Sequence, residues 1–196
     1  MTLIGIILCG GKSERMQKDK GLMLSDGQTW SQLASYKLQS LNIPTYVSIN
    51  SQQLSEYITF FENNSIIIDN NEITVKGPLH GVLSCHLNFP NNDLFVLAPD
   101  MPLINAEILK NLISIYHANK TKEAFVYTHN ESAEPLCAIY TAKGLSKILE
   151  QSYTNELTKF SMKHMIEELD TLFTSLQEEQ YSHFKNINTK DDLTGL

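Results

Sequence analysis

Basic residues cluster directly behind two glycines near the start of the chain. Gly10 and Gly11 follow an apolar run, and four of the 15 lysines and arginines lie within the next nine positions. These cations are Lys12, Arg15, Lys18 and Lys20, and Arg15 is the only arginine in the sequence. Glycines let backbone N–H groups approach an anion closely. In a chain of net charge −7, this cluster predicts a site for a small anion such as a phosphate.

Two familiar phosphate loops are excluded by spacing. A P-loop requires G-x-x-x-x-G-K-[ST], and with Gly11-Lys12-Ser13 as its end the first glycine would fall on Ile6. A dinucleotide fingerprint requires G-x-G-x-x-G, which does not occur here. The sequence therefore predicts a phosphate cradle of a different kind.

Two carboxylates also follow short apolar runs. Asp69 follows Ile66-Ile67-Ile68, and Asp100 lies just beyond the run from 94 to 97. In open α/β sheets, ligands bind beyond the carboxyl ends of the strands, so we expect both to share a site with Gly10. Mg²⁺ prefers few carboxylates together with phosphate oxygens and water, so Asp100 alone could serve as its protein ligand. The alternative is that Asp100 caps a turn before Pro102.

The elements that must position these residues alternate between strand and helix patterns. Continuous apolar runs at 3–9, 46–49, 66–68 and 94–97 are typical of strands buried on both faces of a parallel sheet. Helical periodicity occupies 29–42 and the segment after Asn105, with Thr29 and Asn105 as predicted N-caps. The pattern predicts an α/β fold, a mainly parallel sheet with helices on both faces.

The last third of the chain departs from simple alternation. Strand-like runs at 124–128 and 136–140 are separated by a polar loop, which suggests a hairpin. Helical patterns follow near 143–151 and 160–169, and a last turn or helix is expected after Thr189. We expect a small C-terminal antiparallel and helical extension. No repeat or linker divides the sequence, so residues 1–196 are predicted to form a single domain.

Composition narrows the class of protein further. The acidic balance argues against binding to nucleic acid or to an anionic membrane surface. No apolar run is long enough to span a membrane and no export segment is evident, so a cytoplasmic location is expected. Three widely spaced cysteines and six histidines form no C-x-x-C, H-x-x-x-H or H-E-x-x-H pattern, so neither a zinc site nor a disulfide framework is predicted.

Taken residue by residue, the loop resembles the L-x-G-G-x-x-x-R-M-G-x-D-K signature of the molybdenum cofactor guanylyltransferases, nucleotidyltransferases with an N-terminal glycine loop. Seven positions match with the spacing intact, namely Leu8, Gly10, Gly11, Arg15, Met16, Asp19 and Lys20. Gln17 departs from the signature, because the family usually has glycine there. The resemblance implies a Rossmann-like nucleotidyltransferase in which Lys20 contacts the triphosphate and neutralises charge as pyrophosphate leaves.

Further matches follow in the order expected for this family. Residues 98–102 resemble its C-D-M-P motif, with the metal-binding aspartate at Asp100 and Pro99 in place of cysteine. Residues 77–81 match G-P-L-x-G. Asp69 corresponds to an aspartate of the nucleotide site, and a carboxylate suits the two donors of guanine. Asn50 falls near a nucleotide-contacting asparagine, although a plain turn role is an equal alternative.

Two weaker resemblances lie later in the chain. Residues 184–189 resemble an F-x-N-[IV]-N-T segment whose asparagines, here Asn186 and Asn188, can assist the metal. Residues 134–136, beginning with Glu134, lie where the family starts a strand near the acceptor substrate.

The resemblance implies transfer of GMP from Mg²⁺-bound GTP to molybdopterin or the molybdenum cofactor, with release of pyrophosphate. The implied catalytic residues are Lys20, Arg15 and Asp100, with Asp100 also holding the metal. The implied nucleotide-binding residues are Leu8, Cys9, Gly10, Gly11, Lys20, Asn50, Asp69, Gly77 and Asp100. Transient contacts with cofactor-handling or acceptor proteins are compatible with this chemistry.

Two alternatives stay open from the sequence. A related nucleotidyltransferase would use CTP, or would act on a sugar phosphate or polyol phosphate, with a similar glycine loop. A nucleotide-binding adaptor without catalysis would fit the departures at Gln17 and Pro99. It would bind GTP without releasing pyrophosphate when the acceptor is supplied.

Overall fold

A computed structural model describes residues 2–10 and 19–185. Within these residues, seven strands form one mixed sheet in the order β5-β4-β1-β6-β8-β7-β9. Its strands are β1 (Leu3–Leu8), β4 (Thr45–Ile49), β5 (Ile66–Ile68), β6 (Asp93–Leu97), β7 (Ala124–His129), β8 (Ser132–Tyr140) and β9 (Thr171–Ser175). A separate two-stranded ribbon joins β2 (Leu24–Ser25) to β3 (Gln28–Thr29). The predicted α/β class is confirmed.

The sheet is parallel except at β8. β1 pairs in parallel with β4 and β6, β4 with β5, and β7 with β9, whereas β8 runs antiparallel to both of its neighbours. The predicted hairpin is confirmed as β7–β8, and its turn holds Asn130 and Glu131 at φ 46° and 64°. Its antiparallel strand lies inside the main sheet, between β6 and β7. The amino end of β8 therefore meets the carboxyl ends of the other strands at one edge.

Helices cover both faces of the sheet, as the sequence predicts. They are α1 (Trp30–Gln39), α2 (Leu54–Tyr57), α3 (Pro78–Asn88), α4 (Ala106–Ala118), α5 (Ala142–Tyr153) and α6 (Met162–Glu168), with 3-10 turns at Lys20–Leu22, Ser51–Gln53, Asn63–Ser65 and Glu178–Phe184. α1, α2 and α4 pack on one face, and α3, α5 and α6 pack on the other. Among the described helices, none has the length and apolar character needed to cross a membrane.

The predicted N-caps are confirmed. The Thr29 side chain accepts a hydrogen bond from the Gln32 amide, and the Thr29 backbone N–H donates to Gln32 Oε1, which completes a capping box. The Asn105 side chain accepts a hydrogen bond of 3.0 Å from the Ile108 amide. The turn predicted after Thr189 lies outside the described residues.

Side-chain alternation along the central strands separates the core into two layers. All five residues of β6 are buried, with Leu94 and Val96 facing one helical layer and Phe95 and Leu97 facing the other. Continuous burial of this kind explains why the strand reads as an unbroken apolar run. The three cysteines are unpaired and buried in these layers. Gly10, Asp69 and Asp100 follow strands at the carboxyl edge of this sheet.

Candidate nucleotide-binding site

Four parallel strands deliver the predicted site residues to one edge of the sheet. β1 ends just before Cys9 and Gly10, β4 before Asn50, β5 before Asp69, and β6 shortly before Asp100. Because these strands are neighbours and run in the same direction, their ends lie side by side. Gly10, Asp69 and Asp100 therefore lie at one edge of the sheet, as their places after the strands lead one to expect.

Lys20 and Asp100 are in direct contact at this edge. The Lys20 Nζ atom lies 2.9 Å from Asp100 Oδ2, and the two side chains are 27% and 21% exposed. Lys20 opens the 3-10 turn Lys20–Leu22 immediately after the glycine loop. Within the described part of the chain, the second carboxylate oxygen of Asp100 has no hydrogen-bond partner. The pair thus presents a cation and a carboxylate oxygen together at a half-open surface.

Asp19, the residue before Lys20, anchors the exit of the loop. Its Oδ1 atom accepts hydrogen bonds from the Gly21 amide at 2.8 Å and from the Tyr57 hydroxyl at 3.1 Å. Its Oδ2 atom accepts one from Gln53 Nε2. Three donors therefore fix this carboxylate, and they set the backbone from which the Lys20 side chain leaves.

Asn50 has the turn role that the sequence offers and also contacts Gly10. Its side chain caps the 3-10 turn Ser51–Gln53 by accepting a hydrogen bond of 3.0 Å from the Gln52 amide. The same side chain lies 3.5 Å from the Gly10 carbonyl oxygen through Nδ2. The turn-forming residue therefore also touches the start of the glycine loop.

Asp69 is wedged between the glycine loop and α3. Its Oδ2 atom lies 2.9 Å from the position that a Cβ atom on Gly10 would occupy, so any larger residue at position 10 would make the backbone or the carboxylate shift. Ser48 Oγ donates to Asp69 Oδ1 at 3.4 Å, and His80 Nδ1 lies 3.9 Å from Oδ2. Burial raises the pKa of Asp69, and His80 and Ser48 partly oppose that shift.

The G-P-L-x-G segment places α3 against this edge. Gly77 caps the helix at φ 69° and ψ −156°, a conformation that essentially only glycine adopts, and Pro78 occupies the first turn. A Cβ atom on Gly81 would lie 2.7 Å from Leu8 Cδ1 and 3.0 Å from Ser48 Oγ. Gly77 therefore sets the turn, and Gly81 lets the helix approach the ends of β1 and β4.

Comparison with known proteins places the chain in a family. Residues 5–171 match the family model described as the MobA-like NTP transferase domain. The chain belongs to the MobA-like NTP transferase family. A probable molybdenum cofactor guanylyltransferase from Methanocaldococcus jannaschii is 36% identical, with 98% of each chain covered. A molybdenum cofactor guanylyltransferase from Campylobacter jejuni is 32% identical over 93% of this chain and 89% of its own.

A solved structure is similar along nearly the whole chain. It is the molybdopterin-guanine dinucleotide biosynthesis protein A from Archaeoglobus fulgidus, with a TM-score of 0.76 and 20% identity. The alignment covers 99% of this chain and 96% of that one. At this identity the likeness establishes the shared MobA-like fold.

Several predicted residues of this MobA-like chain lie outside the described residues. They are Gly11, Lys12, Arg15, Met16, Gln17, Lys18, Asn186 and Asn188. Leu8 and Cys9 are described, and their side chains point into the protein, because Leu8 packs at Gly81 and Cys9 is 5% exposed. Burial raises the pKa of the Cys9 thiol well above its ordinary value.

Sequence reasoning missed the residues that support the site from neighbouring elements. Gln53 and Tyr57 hold Asp19, and Lys37 Nζ donates a hydrogen bond of 2.5 Å to the Pro102 carbonyl, two residues beyond Asp100. His183 in the last 3-10 turn contacts the Leu103 carbonyl at 2.7 Å. No motif marks these residues, since each acts through a side-chain contact across a long sequence separation.

Glu134 lies at the same edge because β8 is reversed. It stands near the amino end of β8, and Leu136, two residues on, accepts a hydrogen bond from the Ala98 amide beside the Asp100 turn. Burial raises the pKa of Glu134, and the charges of His129 and Lys163 partly offset that shift. Among the described residues, no group of three or more histidine, cysteine or acidic side chains is arranged to hold a metal by itself.

Proposed function

We propose that the protein is a molybdenum cofactor guanylyltransferase, which transfers GMP from GTP to the terminal phosphate of molybdopterin or its molybdenum form. The names and identities of the two curated relatives support this assignment. The observation that carries it is the 2.9 Å contact between Lys20 and Asp100 beside the glycine loop. A bound triphosphate needs a protein cation near its phosphates and a carboxylate oxygen that can hold its Mg²⁺ ion. Lys20 and Asp100 offer these two groups side by side.

The transfer requires no covalent intermediate on the protein. An oxygen of the acceptor phosphate forms a bond to the α-phosphorus of GTP, the bond from that phosphorus to the β-phosphate oxygen breaks, and pyrophosphate leaves opposite the attacking group. Holding both substrates in line can supply roughly 7–11 kcal/mol of the barrier reduction. Lys20 neutralises negative charge as pyrophosphate departs, and backbone N–H groups of Gly10 and Gly11 cradle the phosphates. Arg15 is proposed to add charge to the same cradle.

Asp100 suits a magnesium ion by the chemistry of its donors. One of its oxygens is unpartnered among the described residues, and the side chain is part-exposed at the sheet edge. Mg²⁺ usually takes one or two carboxylates and fills its other positions with phosphate oxygens and water, so a lone strand-end aspartate is sufficient. When bound, the ion supplies Lewis-acid neutralisation of the triphosphate.

Asp69 is proposed to recognise the base. Its carboxylate stands beside Gly10 at the edge, and an ionised carboxylate can accept from both donors on the Watson–Crick edge of guanine. Asn50 and Gly77 are proposed to complete the nucleotide-binding walls on either side. Cytosine lacks such an adjacent pair of donors on its Watson–Crick edge, so a carboxylate at this position favours GTP over CTP.

We further propose that residues 1–196 form one nucleotidyltransferase domain that acts in the cytoplasm. Three buried, unpaired thiols suit a reducing compartment. GTP and molybdopterin are the proposed partners, with transient contacts to cofactor-handling or acceptor proteins.

Pyrophosphate release with each of the four NTPs, with and without molybdopterin, tests the assignment. We expect release with Mg²⁺ and GTP only when the acceptor is present. Preference for CTP would overturn the donor assignment. GTP binding without acceptor-dependent release would indicate a non-catalytic adaptor.

A further inference from the structure

Gln53 connects the two ends of the glycine loop through a single nitrogen atom. Its Nε2 donates a hydrogen bond of 3.0 Å to the carbonyl of Cys9, the residue before Gly10. The same nitrogen donates to Asp19 Oδ2 at the other end of the loop. A primary amide carries two N–H donors, so both bonds are made at once. One side chain therefore joins Cys9 to Asp19, the residues that stand ten positions apart on either side of the glycine motif.

The orientation of the Gln53 amide is fixed by its other atom. Gln53 Oε1 accepts a hydrogen bond of 2.9 Å from the Asn50 amide, as part of the capping box at the end of β4. A flipped amide would turn an oxygen toward the Asp19 carboxylate and leave the Asn50 amide without its acceptor. The capping box thus orients Gln53 Nε2 toward Cys9 and Asp19.

Tyr57 supplies the second support from the same segment. Its hydroxyl donates to Asp19 Oδ1 at 3.1 Å, and its ring is fully buried and stacked on Phe61 with centroids 6.1 Å apart. A Cβ atom on Gly21 would lie 2.3 Å from this hydroxyl, so glycine is needed where the chain passes the ring. The buried Tyr57 ring therefore gives the Asp19 carboxylate a second fixed donor.

We propose that Gln53 and Tyr57 are positioning residues for nucleotidyl transfer, which act by holding Asp19 in place and thereby Lys20 against Asp100. Lys20 follows Asp19 directly, and the Gly21 amide donates to the same carboxylate, so the cluster holds the side chain before Lys20 and the peptide unit after it. Its kinetic test rests on the proposed function. Because a misplacement of about 1 Å in a catalytic group can cost roughly 100-fold in rate, loosening Asp19 should be visible in kcat.

Gln53→Glu disrupts this role selectively, because it keeps the oxygen that accepts from the Asn50 amide and replaces the donor facing Asp19 with a carboxylate oxygen that repels it. Gln180→Glu is a matched control, since Gln180 occupies the same capping-box position in another 3-10 turn and its Oε1 accepts from the Gln177 amide. We expect Gln53→Glu to lower kcat roughly tenfold or more with a smaller effect on KM for GTP, and Tyr57→Phe to lower it less. Gln180→Glu should stay within about twofold of the parent.

A Lys20→Met background separates positioning from general destabilisation. If Gln53 acts through Lys20, adding Gln53→Glu to Lys20→Met should reduce kcat by no more than about twofold further. A full multiplicative loss in the double variant would overturn the proposal. So would a kcat within twofold of the parent for Gln53→Glu alone.

Hydrogen–deuterium exchange at the Gly21 amide provides a readout that needs no substrate. We expect Gln53→Glu and Tyr57→Phe to speed exchange in the peptide spanning 19–23 by roughly tenfold, while exchange in α4 stays unchanged. Unchanged exchange at the Gly21 amide would refute the positioning role of Gln53 and Tyr57 even if activity fell. Faster exchange in the two variants, together with a parent protein that shows no guanylyl transfer, would support the positioning role of Gln53 and Tyr57 and refute the proposed function.

Discussion

The ammonium group of Lys20 lies 2.9 Å from a carboxylate oxygen of Asp100, although 80 positions separate the two residues in the chain. Lys20 is delivered by the end of the glycine loop, and Asp100 by the turn after β6. Neighbouring parallel strands β1 and β6 make this meeting possible, because their carboxyl ends lie at the same edge. The pair is therefore a direct product of the sheet order, and it defines the catalytic centre of the proposed reaction.

Removing either member of this pair should cost catalysis far more than stability. We expect Lys20→Met and Asp100→Ala each to lower kcat by roughly 10²–10³-fold, because each removes a group that offsets charge in the transition state. Initial rates of pyrophosphate release with GTP and molybdopterin measure the effect. Because a part-exposed ion pair contributes little to folding, we expect a change of less than about 1 kcal/mol in the free energy of unfolding.

Lys122 and Asp170 provide the matched control for that experiment. They form an exposed ion pair of similar length, 2.7 Å, with Lys122 just before β7 and therefore at the opposite edge of the sheet. Lys122→Met should leave kcat unchanged. Equal losses in Lys122→Met and Lys20→Met would show that the effect is not local to the site.

Gly10→Ala should weaken nucleotide binding through one contact. The added Cβ atom would lie 2.9 Å from Asp69 Oδ2, so either the loop or the carboxylate must shift. We expect KM for GTP to rise roughly tenfold and the free energy of unfolding to fall by about 1–3 kcal/mol. Gly27→Ala is the control, since a Cβ atom there would meet nothing within 4 Å, although φ is +79°. That variant should lose stability without a change in KM.

Asp69 predicts an acid limb in GTP binding. Burial raises its pKa, so the carboxylate becomes protonated at a higher pH than an ordinary aspartate and then loses its capacity to accept two hydrogen bonds. His80 of α3 is the basic group that faces the Asp69 carboxylate. The buried Cys85 thiol lies on the same helix, α3. As pH falls through the raised pKa, KM for GTP should increase. Steady-state kinetics between pH 4.5 and 8 measure this limb.

Asp69→Asn tests whether this limb belongs to base recognition. The variant should raise KM for GTP by roughly ten- to a hundredfold and abolish the acid limb, because its amide does not titrate. Inosine triphosphate lacks the exocyclic amine of guanine, so preference for GTP over this analogue should also disappear. A variant that keeps the preference would mean that another group reads the base.

Lys37 predicts a pH dependence of stability rather than of catalysis. Burial lowers its pKa to about 8, compared with roughly 10.4 in an unfolded chain. Between these two pH values the unfolded state binds more protons, so this group makes folding more favourable as pH rises, while below pH 8 its unfavourable contribution is complete. The difference in unfolding free energy between the parent and Lys37→Met should therefore move in favour of the parent from pH 7.5 to 10. A flat difference would contradict this assignment.

Local sequence signals anticipated the parts of the structure that depend on burial and spacing. The apolar run of β6 and the caps at Thr29 and Asn105 were predictable because each depends on residues close together in sequence. The position of Asp100 at the carboxyl edge of the sheet was predictable because Asp100 follows a buried parallel strand. The glycine at 10 was marked by its motif, and the structure adds the close approach of Asp69 as its physical reason.

Other features were not predictable because they depend on distant partners. Gln53 and Tyr57 meet Asp19 across 34 and 38 positions, and their sequence context is that of an ordinary short helix. β9 was missed because it is a short edge strand whose residues are partly exposed and alternate irregularly between polar and apolar. Nothing in the local sequence of β8 indicates that it inserts between β6 and β7, since that choice depends on strand pairing throughout the sheet.

The fate of the α-phosphate tests the central claim most directly. With GTP labelled on the α-phosphorus, Mg²⁺ and molybdopterin, we predict label in an acceptor-dependent product that releases GMP when a phosphodiesterase cleaves it. With GTP labelled on the γ-phosphorus, all released label should appear as pyrophosphate, and Lys20→Met should suppress both signals together. Transfer of α-label from CTP in preference to GTP, or no acceptor-dependent incorporation from the folded parent protein, would contradict the account.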